Sequence, residues 1–195
     1  MNQIRLALSR PLAATACWLV LAGLWQIAEG AGIYAKAGLA QYLLRRAWSR
    51  TVAGERSVKP WPWADTWPVA RLIATARGID LIVLNGAYGR TMAFGPAYVE
   101  SSAYPGTAGT TIVTGHRDTH FRFLKDLHRH ETVVLETADG ARRSYQIRNL
   151  EIVDARTSMI LLDHREASLI LITCYPFESI APGGPLRYVV TAEAK

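Results

Sequence analysis

A chain of 195 residues, half of them hydrophobic, can bury one good core, and setting aside an apolar N-terminal segment leaves roughly 130 to 150 residues for it, too few for two catalytic domains. The formal charge of +6 comes from Lys and Arg interleaved with acids along the chain, so no basic tract marks a nucleic-acid groove. There are two cysteines and Cys17 lies inside the apolar segment, which argues against a disulfide-stapled secreted fold and leaves Cys174 as a single thiol.

From Pro11 to Ala28 the chain carries no charge and is preceded by Arg5 and Arg10, the pattern of an N-terminal membrane signal. An uncleaved anchor over residues 1–34 is the expected form. The small-residue site at Ala35, Lys36 and Ala37 is a poor one for cleavage, and the apolar run is longer than a signal peptide requires. Residues 35–66 form the expected connection. In its first half Leu39, Tyr42, Leu43, Ala47 and Trp48 recur at near-helical spacing, with Arg45, Arg46 and Arg50 on other faces, so an amphipathic helix is predicted. In its second half Pro60, Trp61, Pro62 and Trp63 break any regular pattern, and the aromatic cluster is suited to a membrane interface or to the outside of the domain.

Residues 67–195 then read as short β-rich runs between turn signals. Strands are predicted at Val69–Ala74, Asp80–Leu84, Thr110–Thr114, Thr132–Glu136, Ser144–Val153, Ser168–Cys174 and Arg187–Thr191. Asp139-Gly140 predicts a hairpin, His120–Leu127 a short helix, and Ser158–Leu162 a further turn. So many short strands in one domain hide their edges best by closing, so the expected fold is mostly β, a closed barrel with one or two short helices.

Three segments carry chemistry. The run Leu169–Pro176 is an apolar strand that ends in Thr173-Cys174 and is stopped by Tyr175-Pro176, which holds a thiol at a strand terminus. Thr110–Thr119 is a second strand that delivers His116 just past Gly115, and Leu186–Val190 is a third that carries Arg187 at its start, behind a Pro- and Gly-rich loop. On one rim these supply a nucleophile, a titrating imidazole and a permanent cation, the minimum set for acyl transfer. The bland alternative for Cys174 is a small buried hydrophobe.

These segments resemble the sortases: a TLxTC-like strand read here as LITC over Leu171–Cys174, a GHRDTHF stretch over Gly115–Phe121 and an RYVV strand from Arg187, in the order His, Cys, Arg. The short chain and the Ala- and Arg-rich composition are closest to the Gram-negative type. The resemblance implies an eight-stranded barrel behind a transmembrane anchor, on the outer side of the cytoplasmic membrane. It also implies a cysteine transpeptidase that uses no cofactor or metal and cleaves an LPxTG-like C-terminal signal of an exported protein, passing the acyl group to an amine acceptor of the envelope or of another protein. It assigns Cys174 as nucleophile, His116 as acid/base and Arg187 as oxyanion stabiliser, a donor worth about 3 to 4 kcal/mol in such sites. Thr173 and His120 are expected to contact the substrate.

Two departures stand out. Arg129-His130-Glu131 replaces the Gly-Asp pair found in many relatives, and Gly95-Pro96-Ala97 replaces a more regular stretch, to which no catalytic role is given. Other readings are an L,D-transpeptidase, whose SHGC-type cysteine context is absent, and a tethered β-barrel binding module. A third is a zinc hydrolase built on His116, Asp118 and His120, for which no fourth ligand is evident. Asp118 reads most simply as a turn residue, Arg117 and Arg122 as solvated charges, and His128, His130 and His164 as surface residues.

Overall fold

The structure, a computed structural model, describes residues 2–162, 165–179 and 183–195. It divides into two compact units, one up to Gln41 and one from Tyr42.

A single helix, α1 (Asn2–Val52), begins in the first unit and continues into the second, with no break between the apolar segment and the amphipathic stretch. It is long and apolar enough to cross a membrane. In the first unit its apolar side chains, among them Trp18, Leu21, Trp25 and Ile33, face outward. Such exposure is costly in water and favourable in hydrocarbon.

The second unit is a closed barrel. Its strands are β1 (Pro68–Ala74), β2 (Ile79–Asn85), β3 (Ala97–Tyr98), β4 (Thr110–Thr114), β5 (Thr132–Thr137), β6 (Arg142–Asp154), β7 (Ser168–Cys174) and β8 (Leu186–Ala194). They follow one another around the barrel as β1-β2-β3-β4-β7-β8-β6-β5, and β5 closes on β1. The pairs β4/β7 and β2/β3 are parallel and the rest antiparallel. Alternation fills the interior: Val69, Leu72, Val83, Val113, Leu135, Ile147, Leu169, Leu171 and Val190 all point inward and are fully buried. Each such side chain contributes about 1.5 to 3 kcal/mol of burial.

Seven strands lie where alternation and turn signals predict them. The eighth, β3, has only two residues, within the Gly95-Pro96-Ala97 stretch, too short for a period-2 pattern to register. The predicted short helix is a 3-10 turn over Arg122–Asp126, and the predicted turn at Ser158–Leu162 is irregular chain. A small helix unforeseen in the sequence, α2 (Gly89–Met92), precedes β3.

On α1 the buried stripe differs from the predicted one: Leu44, Ala47, Trp48 and Thr51 are buried while Leu39 and Tyr42 are exposed. Leu44 and Trp48 pack with Ile82, Leu84, Trp61 and Phe94, so the docking partner, and not the periodicity alone, selects the face. Within the Trp cluster Trp61 meets Phe94 edge-on at 4.8 Å, Trp67 packs on the barrel core, and Trp63 is 82% exposed.

Candidate active site

Cys174 is the last residue of β7, and its Cα partner on β8 is Arg187, the second residue of that strand. Directly opposed residues point to the same face with Cβ atoms about 4.5 to 5.5 Å apart. Thiol and guanidinium therefore share one face at one end of the barrel.

His116 reaches the same place through the parallel pair. Residues of β4 and β7 match with an offset of 58, from Thr110 beside Ser168 to Thr114 beside Ile172. The Gly115 N–H carries the ladder one step further, donating to the Ile172 carbonyl at 3.2 Å. His116 and Cys174 are separated by that same 58, so extending the register sets them side by side.

The join between the two strands is locked. The Thr173 hydroxyl, 1% exposed, donates to the Gly115 carbonyl at 2.7 Å. Gly115 is closely packed: an added Cβ would meet the Phe121 ring at 3.0 Å, so the ring would have to give way. Beyond this clamp His116 is exposed, while Cys174 and Arg187 are half-buried. Arg187 donates through Nη1 to the carbonyls of Gly184 at 2.7 Å and Leu186 at 2.9 Å, which anchors one edge of the guanidinium to the loop before β8.

His120 lies nearby and is half-buried, with its ring bonded to the Ala93 backbone. Burial, and secondarily the neighbouring His116, hold its pKa below the ordinary value, so it favours the neutral form. Asp118 turns to Arg117, its Oδ1 accepting from Nε at 3.1 Å, as expected of a turn residue making local bonds. With Asp118 on Arg117 and His120 on Ala93, the three residues of the zinc pattern do not converge, and among the described residues no His, Cys, Asp and Glu side chains gather as a metal would need.

One side chain departs from expectation. Arg117 is not a solvated charge: it is 5% exposed, in the turn that follows His116, where its Nη2 donates to the Ser179 carbonyl at 2.7 Å. The Thr173 hydroxyl is directed at the Gly115 carbonyl. His128 is exposed as expected, but its Nδ1 is shared between Arg77 and Glu131. His130 is exposed, Arg122 is exposed, and His164 lies outside the described residues.

An aromatic wall beside the site went unforeseen. Tyr175 stacks on Tyr188 at 6.4 Å, and Phe177 meets Tyr188 edge-on at 5.2 Å. Its signal was present, since Tyr175 and Tyr188 directly follow Cys174 and Arg187, but which rings would meet depends on the β7/β8 register.

The model of the sortase domain family matches residues 73–195, which contain every strand from β2 onward and the whole Cys174, His116 and Arg187 arrangement. The chain belongs to the sortase family. Among its relatives, sortase D of Bacillus subtilis (strain 168) is 34% identical over 112 residues, 57% of this chain. The match spans 56% of that relative's length. Solved sortases share the fold. The sortase D5 transpeptidase of Clostridium perfringens superposes with a TM-score of 0.62 at 17% identity, covering 81% of this sortase and 99% of the other. Sortase A of Corynebacterium diphtheriae gives 0.60 at 20%, over 80% and 84% of the two chains. Sortase C-1 of Actinomyces oris gives 0.59 at 21%, over 66% and 74%. The L,D-transpeptidase, zinc-hydrolase and binding-module readings are not favoured by any of these matches.

Proposed function

We propose that this sortase is a cysteine transpeptidase that cleaves an LPxTG-like signal near the C-terminus of an exported protein and transfers the acyl group to an amine. The observation that carries the reading is the strand register, in which Cys174 opposes Arg187 on β8 while the β4/β7 offset brings His116 alongside. In the proposed cycle the Cys174 thiolate attacks the Thr carbonyl carbon of the signal, and Arg187 donates hydrogen bonds to the oxyanion of the tetrahedral intermediate. As the C–N bond breaks, His116 gives its proton to the departing Gly amine, leaving a thioester on Sγ. The acceptor amine then attacks the thioester carbonyl, His116 takes a proton from it, and Cys174 departs as thiolate. Thr173 acts here through the strand end it fixes, and His120, beside His116, lines the approach of the peptide.

Residues 1–34 are the proposed anchor in the cytoplasmic membrane, 35–66 the connection, and 67–195 the catalytic domain on the outer side. Support comes from the apolar, outward-facing helix and from the family match over 73–195. The substrate is then an exported protein, and the acceptor a component of the envelope or a second protein.

One residue tests both chemistry and location. With a peptide containing Leu-Pro-Glu-Thr-Gly, the full-length protein is expected to form a covalent acyl adduct visible by intact-mass spectrometry, and Cys174→Ala to form none while melting as the wild type does. An undiminished adduct on the variant would remove Cys174 from the mechanism. In right-side-out membrane vesicles an impermeant maleimide is expected to label Cys174, and labelling only after lysis would reverse the orientation.

A further inference from the structure

We infer that Arg117 is a positioning residue of this site, a buried brace that holds the stretch carrying His116 and the segment following Cys174 in one fixed geometry; this rests on the transpeptidase reading above. Its neighbour in sequence, His116, is exposed, whereas the Arg117 side chain is 5% exposed. Removing a guanidinium from water costs several kcal/mol unless its donors find acceptors. Here the fork divides between two elements. Nε meets Asp118 Oδ1 at 3.1 Å on its own stretch, and Nη2 reaches across to the Ser179 carbonyl at 2.7 Å, on the chain leaving β7.

Two further links run in parallel with it. The Thr173 hydroxyl holds the Gly115 carbonyl at 2.7 Å on one side of His116, and Lys125 Nζ meets Glu178 Oε1 at 3.3 Å on the other. The Lys125 link is exposed, and Glu178 is 78% accessible, so screening leaves it little weight. The Arg117 link is sheltered from that screening and ends on a backbone carbonyl, which cannot rotate away as a side chain can. The chain leaving β7 is therefore tied by Arg117 at Ser179, and the chain entering β8 by Arg187 at Gly184. Only the second tie involves a residue that addresses the substrate. The first fixes where the imidazole stands relative to the sulfur. A planar fork can serve two acceptors in diverging directions, which an ammonium on a flexible stem does poorly.

The test uses the full chain in detergent micelles, with a quenched fluorescent Leu-Pro-Glu-Thr-Gly peptide as probe. A second readout needs no substrate: the pH dependence of iodoacetamide alkylation of Cys174, followed on its own proteolytic peptide so that Cys17 does not interfere. For Arg117→Ala, kcat is expected to fall about 30- to 100-fold, the size of effect an ångström-scale misplacement produces, with KM changed less than about threefold. The alkylation profile is expected to shift along the pH axis, because the thiol loses a fixed imidazole neighbour. Arg117→Lys is expected to recover part of the rate by restoring one hydrogen bond. Wild-type kcat with a superimposable alkylation profile in Arg117→Ala would overturn the inference. So would a rate loss in both variants that merely follows the fraction of folded protein on a melting curve. If the wild type leaves the peptide intact, the transpeptidase reading fails for that signal, and the alkylation profiles alone decide on the brace: a shift in Arg117→Ala supports it and coincidence overturns it.

Discussion

At the scale of single residues, the site depends on a glycine as much as on its reactive groups. Gly115 lies between the last ladder residue of β4 and His116, donates to β7 through its N–H, and accepts from Thr173 through its carbonyl. The space a side chain would need is filled by the ring of Phe121, a fully buried core residue with little freedom to retreat. Gly115→Ala is accordingly expected to destabilise the barrel by about 1 to 3 kcal/mol, the usual cost of overpacking, and to reduce activity further than the fraction unfolded explains by displacing His116. Chemical denaturation and peptide turnover on one preparation check both parts. A mutant of wild-type stability and rate would show that Phe121 yields. Gly115 was visible in the sequence as part of the motif; its contact with Phe121 was not, because six positions along an irregular segment do not define a distance.

At the scale of elements, the turn into β5 shows how a departure from the familiar sequence is accommodated. In the Arg129-His130-Glu131 stretch, where the sequence resemblance implies Gly-Asp, His130 adopts a left-handed backbone with φ of 71°. The conformation is needed because the His130 N–H must donate to the Ile147 carbonyl, at 2.9 Å, as the chain enters the β5/β6 ladder. A left-handed residue other than glycine is held at a cost, and glycine returns part of it as unfolded-state entropy. His130→Gly is therefore expected to stabilise the protein by about 0.5 to 1 kcal/mol with turnover unchanged, as read from the denaturation midpoint; a loss of stability would mean the imidazole makes contacts worth more than the strain. Strand limits were legible because alternation writes them into the sequence. The stripe that α1 buries was legible only in outline, since Leu44, Ala47, Trp48 and Thr51 are selected by the wall they meet.

For the folded unit as a whole, charges link strands around the barrel wall and make stability depend on pH. Arg71 on β1 donates with both Nε and Nη2 to Asp80 on β2, each at 2.7 Å, and lies 3.7 Å from Glu136 on β5, which accepts from Arg142 on β6 at 2.8 Å. The hydrogen bonds from Arg71 hold the Asp80 carboxyl below its ordinary value of 3.8. A depressed carboxylate pKa gives stability that is present above the unfolded value and lost as pH falls through the folded one. His120 acts at higher pH by the same rule. Burial lowers its pKa below 6.5, so the unfolded chain binds the proton more readily and stability declines as pH drops below that value. The melting temperature is thus expected to fall in two stages, first below about pH 6.5 and then below about pH 4, with His120→Gln removing the first stage and Asp80→Asn weakening the second. A flat profile from pH 7 to pH 5 in the wild type would contradict the burial of His120.

The apolar N-terminal segment, the β-rich domain and the identities of Cys174, His116 and Arg187 belong to the linear chain, because span length, side-chain alternation and motif order are local properties that need no partner to be read. Only the tertiary structure decided that the separation of His116 and Cys174 equals the offset of a parallel strand pair, that Thr173 serves Gly115, and that Arg117 turns inward to hold Ser179. Register, burial and the reach of a side chain arise when strands distant in sequence meet, and closing the barrel is what makes them meet.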